Sequence, residues 1–199
     1  MNLRIGVRPK HQEQPGSKLT WRRCAITSRH TIVVRGVQLV VVPRFRPIAV
    51  LEARERAGLT QLQLATLADE ATPRTRAGSS QSPAGETARR IRTWESRIGA
   101  WERGIDAPSA TYIPTLAKLL DLAPLSLFDV DPAAPPFTAL RLAAGLTLQA
   151  LAKATGVSYT SLHRMVRGVT QMPAETAAEL ASALGVTRDE LLAAVARDR

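Results

Sequence analysis

Histidines, cysteines and paired carboxylates would signal catalysis or metal binding, and this chain uses them sparsely. It holds three histidines, His11, His30 and His163, and one cysteine, Cys24. No Cys/His spacing fits a metal site. No Gly-rich loop follows a strand pattern, and no nucleophile stands with a base and an orienting group. Asp189 and Glu190 open a helical pattern just after Thr187, where carboxylates serve as caps. The sequence therefore calls for no enzyme activity, no metal and no cofactor. A single cysteine also excludes an intrachain disulfide framework and points to a reducing, cytoplasmic address.

The chemistry the composition does offer is neutralisation of phosphate. The 199 residues carry 27 Lys+Arg against 17 Asp+Glu, a net charge of +10. Ten of the basic residues lie in residues 1–47 with one acid, Glu13, so the remainder is nearly neutral. Such a basic arm adds salt-dependent, sequence-independent affinity for DNA, or is simply solvated. Residues 1–43 show no helical period and read as this arm, disordered or, if translation starts at Val41 or Val42, not translated at all. No apolar stretch reaches the roughly 18 residues a membrane-spanning helix needs. The apolar fraction is 45% and the aromatic fraction 4%, so the chain can bury a core, and that core must be aliphatic.

From Ile48 the apolar spacing becomes helical. A first helix stops at Gly58, and Thr60 caps a second carrying Leu64, Ala65 and Ala68. Ile91, Trp94, Ile98 and Trp101 step by 3, 4 and 3 and share one face of a third helix, which opens near Glu86. Ser109 to Leu120 is a fourth, and Pro124 to Phe128 a short fifth. After the Pro-rich linker 129–136 the same order returns. A helix from Phe137 ends at Gly145; Thr147 caps the next; Ser158 caps one that stops at Gly168; Pro173 and Thr187 start the last two. The expected core includes Leu62, Leu64, Ile98, Trp101, Leu162, Met165 and Leu180.

Ala57-Gly-Leu-Thr-Gln-Leu-Gln-Leu-Ala65 followed by Ile98-Gly-Ala-Trp-Glu-Arg-Gly104 resembles the lambda-repressor/Cro-like (XRE-type) helix-turn-helix family. Ala144-Gly-Leu-Thr-Leu-Gln-Ala-Leu-Ala152, Gly156-Val-Ser158 and Leu162-His-Arg-Met-Val-Arg-Gly168 are similar at the same spacings. The resemblance implies an all-α chain of two tandem five-helix bundles, residues 44–128 and 137–199. The first carries 23 extra residues near 70–92, because Ala65 to Trp101 spans 36 positions where Ala152 to Met165 spans 13. Residues 71–85 of this insertion have a loop composition.

The resemblance implies double-stranded DNA as partner and transcriptional regulation as function. Carried over by position, Gln61 is a phosphate clamp, and Arg89, Arg90 and Arg92 reach the DNA backbone. Glu95, Ser96 and Arg97 face bases. In the second copy Thr147 and Ser158 flank the turn, while Tyr159, Thr160, Ser161 and Arg164 read bases, with Arg164 able to chelate a guanine. Family members also pair an Arg with a Glu across the fold; here these are Arg54 and Glu102, whereas the second copy has Arg141 and Val166. The second function class is an interaction module that keeps the fold but binds a protein, such as a regulator, a toxin or a second copy of the chain.

Overall fold

The computed structural model describes residues 43–72 and 83–199. The expectations for the arm and for residues 73–82 lie outside the described residues. The described part is helical, and its extended pairing is confined to one isolated antiparallel bridge, Phe45 to Phe128.

Helix α1 (Pro47–Arg56) begins with its proline in the first turn, where the missing N–H costs nothing. Helix α2 (Gln61–Ala71) starts in a reciprocal cap: Thr60 accepts from the Gln63 N–H and the Gln63 side chain accepts from the Thr60 N–H. Helix α3 (Pro83–Glu102) follows, then a 3₁₀ turn, Ala110–Tyr112, leading into α4 (Ile113–Leu119). A second 3₁₀ turn, Pro124–Leu127, closes the first half. Val50, Leu64, Trp94, Ile98, Trp101, Ile113, Leu116 and Leu127 are buried together there. Trp94, Trp101 and Tyr112 pack mutually, with Trp94 edge-on to both.

The second half comprises α5 (Phe137–Ala143), α6 (Leu148–Ala154), α7 (Tyr159–Val166), α8 (Ala174–Leu184) and α9 (Arg188–Arg197). Side-chain caps open three of these, from Thr147, Ser158 and Thr187. Its own cluster buries Phe137, Leu151, Leu162, Leu180, Leu191 and Val195. Burying each such side chain contributes on the order of 1.5–3 kcal/mol before entropy is counted.

The two halves touch. Leu142 of α5 packs on the first cluster and Leu125 on the second. Gly145, at φ +75°, sits so close to Pro114 that a Cβ there would come within 2.7 Å of the proline ring. Only glycine satisfies both the backbone and the space. The segment 129–136 is tied at both ends: the Asp129 N–H donates to the Arg44 carbonyl and Arg197 donates to the Pro135 carbonyl.

Three expectations need correction. Leu62 is 50% exposed, because Leu64, Ala65 and Ala68 take the buried face and Leu62 lies two positions round the helix. Ala71 belongs to α2, and Pro83, Ala84 and Gly85 belong to α3, so the loop within the insertion is shorter than its composition implied. Pro83 stands at the first helical position, where its missing N–H costs nothing, Ala84 is a good helix former, and packing of α2 on α3 offsets the weak propensity of Gly85. For the same reason α3 opens three residues earlier than Glu86.

Candidate nucleic-acid interface

Helix α7 presents an exposed polar face. Leu162 and Met165 are buried, which turns Tyr159, Thr160 and Arg164 outward. Ser158 and Ser161 hold the start of the helix: the Ser161 N–H donates to Ser158 Oγ at 3.1 Å, and the Ser158 hydroxyl donates to Ser161 Oγ at 2.8 Å. Both hydroxyls are therefore committed first to presenting the helix. Tyr159, 52% exposed, stacks on His163 one turn later at 6.0 Å between ring centres. That contact gives His163 an aromatic partner. Arg164 is exposed and makes no hydrogen bond or ion pair among the described residues, so its full guanidinium fork is available. Thr147 caps α6, accepting from the Ala150 N–H at 3.0 Å.

The first half differs, because several of its candidate residues are already engaged. Arg54 Nε donates to Glu102 Oε1 at 2.6 Å and Arg54 Nη2 to Glu102 Oε2 at 3.1 Å, a bidentate pair across α1 and α3. The third donor, Arg54 Nη1, reaches the Leu59 carbonyl at 2.8 Å. Gln61 Nε2 donates to the same Glu102 carboxylate at 2.7 Å. Glu102 pushes the already high pKa of Arg54 further up, chiefly through the hydrogen bond.

In the second half Arg141 repeats one contact of Arg54: its Nη1 donates to the Leu146 carbonyl at 2.7 Å. Leu148 and Val166 pack against the second cluster, and among the described residues no carboxylate pairs with Arg141 as Glu102 does with Arg54. Burial lowers the pKa of Arg141, opposed by the charge of Asp198. Asp198 is buried, and its Oδ2 accepts from both the N–H and the hydroxyl of Thr138, at 2.8 and 2.7 Å.

Within the insertion, Arg90 clasps the buried Asp69 with two bonds, of 2.7 and 3.1 Å, and lies 3.6 Å from Glu86. This pair pins α2 to α3. Arg97 donates to the Tyr112 hydroxyl and lies 5.1 Å from that ring's centre. Arg89, Arg92 and Ser96 are exposed and Glu95 half-buried. The pairing of Asp69 with Arg90 was invisible to sequence reasoning, since the partners are 21 residues apart across the insertion. Arg103 was also missed. It is exposed, with its Nη1 lying back over Gly99 beside the Gln61 side chain.

Among the described residues no cluster of three or more His, Cys, Asp or Glu is placed to hold a metal ion. No helix among them is long and apolar enough to cross a membrane. No curated protein and no solved structure matches the chain. A family model described as a helix-turn-helix domain matches residues 137–194, from the first residue of α5 into α9, and this segment contains the free face of α7.

Proposed function

We propose that the chain is a sequence-specific double-stranded DNA-binding regulator of transcription, with α7 as its principal reading helix. The observation that carries this is Arg164: an unengaged guanidinium on the outward face of α7, inside the segment similar to a helix-turn-helix domain. A bidentate fork of that kind distinguishes guanine in the major groove. Thr160 beside it offers a methyl to thymine, and Tyr159 a hydroxyl to phosphate.

The first half is, in this reading, a second copy of the lambda-repressor-like fold with a lengthened α2–α3 hairpin. The matched geometry supports it. Arg54 and Arg141 each donate to the carbonyl five residues on. Thr60 and Thr147 cap the corresponding helices. Gly58 pairs with Gly145 and Gly104 with Gly168 in left-handed backbone, at φ +67°, +75°, +68° and +70°. Two such copies in one chain would act as a built-in pseudo-dimer with unequal halves, α7 reading bases and the first half contacting mainly the DNA backbone.

The second reading, a protein-binding module, draws on one observation: Gln61, Arg90 and Arg97 are all engaged within the fold. Selection of the full chain on random duplex DNA tests the choice. An enriched motif supports the DNA reading. No enrichment at low salt overturns it.

A further inference from the structure

Helix α3 is 20 residues long, where α7 has eight, and the added length exposes a second kind of surface. Its buried side carries Trp94, Ile98 and Trp101. On the side facing away from that core lie Arg89, Arg92, Ser96 and Arg103, all exposed, at steps of 3, 4 and 7. Between Ser96 and Arg103, Gly99 is buried beneath the Arg103 guanidinium and Ala100 is half-buried. The helix's acids lie off this line. Glu86 faces Arg90 at the flank, Glu95 is half-buried, and Glu102 is held by Arg54 and Gln61.

Arg89 and Arg92 of α3, with Arg103 just past its end, differ from the other two arginines of the helix. Arg90 is clasped by Asp69 and Arg97 is bound to Tyr112. The side chains of Arg89, Arg92 and Arg103 make no hydrogen bond or ion pair among the described residues. Fourteen residues separate Arg89 from Arg103, about 21 Å along the axis at 1.5 Å per residue. Measured along a duplex axis, that spans about six phosphates of one strand. The two positive ends are separated by Ser96, whose small exposed side chain lets another backbone approach.

We propose that this outward face of α3 is a phosphate rail. Arg89, Arg92 and Arg103 grip the backbone of double-stranded DNA along the lengthened helix, so that the first half supplies affinity and register rather than base readout. The proposal rests on the DNA-binding reading above and deepens it. An acidic protein is the competing occupant, and the composition of the face argues against one. Protein interfaces centre on aromatic and other apolar anchors, and none lies on this stripe. Phosphate recognition requires only free cations and close approach.

The experiment is equilibrium binding of the full chain to a mixed-sequence duplex at several salt concentrations. The variants are Arg89→Gln/Arg92→Gln/Arg103→Gln and the matching triple lysine variant. Each released counterion contributes about 0.9 to the slope of log affinity against log salt. The glutamine triple should lower that slope by about two to three units and leave the base preference set by α7 unchanged. The lysine triple should retain the slope. These side chains point away from the core, so circular dichroism should show both variants folded. A wild-type slope in the folded glutamine triple, with DNA binding intact, overturns the rail and leaves the DNA reading standing. Failure of the wild-type chain to bind any duplex overturns both, as would stripe-dependent binding of polyglutamate in place of DNA.

Discussion

Gln61 donates its side-chain amide to the carboxylate of Glu102, the same group that Arg54 grips with two nitrogens. One carboxylate thus ties the end of α1 and the start of α2 to the end of α3, and holds the Gln61 amide in place within the fold. On the two-copy reading, Leu148 and Val166 stand where the first half has Gln61 and Glu102, and Arg141 stands for Arg54. Residues that act as one unit are expected to change as one.

Glu102→Ala should therefore be costly. Arg54 and Glu102 side chains are 11% and 4% exposed, and removing the acid leaves a largely buried guanidinium without its counter-charge. The expected loss is about 3 kcal/mol, at the lower end for buried pairs. The double variant Gln61→Leu/Glu102→Val, which copies the second half, should recover part of it. Urea unfolding measures both. A loss below about 1 kcal/mol for Glu102→Ala would mean that the pair behaves as an exposed one.

Arg90→Ala should act on folding rather than on DNA. Its guanidinium is the clasp on buried Asp69, so the variant should unfold at lower temperature and keep the wild-type salt slope. Arg92→Ala should do the reverse, lowering the slope by about one unit with little change in melting. Thermal melting and salt titration of both variants check the contrast. Equal slopes for the two variants would contradict it.

These residues also show what the sequence could and could not disclose. Caps at Thr60, Thr147, Ser158 and Thr187 and the apolar steps of α3 were legible, because both are local patterns. The Arg54–Glu102 pair was accessible only through family resemblance, since 48 residues intervene. Resemblance also nominated Arg90 and Arg97 for DNA, but it could not show that Asp69 and Tyr112 would take them. Leu62 was assigned to the core by hydrophobicity, yet burial depends on which helix face meets a neighbour. The Thr138–Asp198 contact closes across 60 residues with no spacing signal at all.

That contact carries a pH dependence. Burial pushes the Asp198 carboxyl up, against the lowering pull of two Thr138 hydrogen bonds and the charge of Arg141. Its Oδ1 is buried with no hydrogen-bond partner among the described residues. A carboxyl raised in the fold holds its proton more tightly folded than unfolded. Its contribution to stability is full below the ordinary aspartate value of about 3.9 and is lost as pH rises through the higher folded value. Asp198→Asn cannot ionise, so its stability relative to wild type should improve as pH climbs through that window. Urea unfolding over a pH series reads this directly. Parallel curves for the two proteins would contradict it.

Base reading by α7 through Arg164 shows itself in single-base discrimination. The full chain and Arg164→Ala are titrated against the duplex selected from random sequence and against each of its single-base variants. Arg164→Ala should lose about 1–3 kcal/mol on the selected site and become indifferent to one base pair, keeping its preferences elsewhere. An Arg164→Ala protein with unchanged affinity and unchanged preference at every position would contradict it.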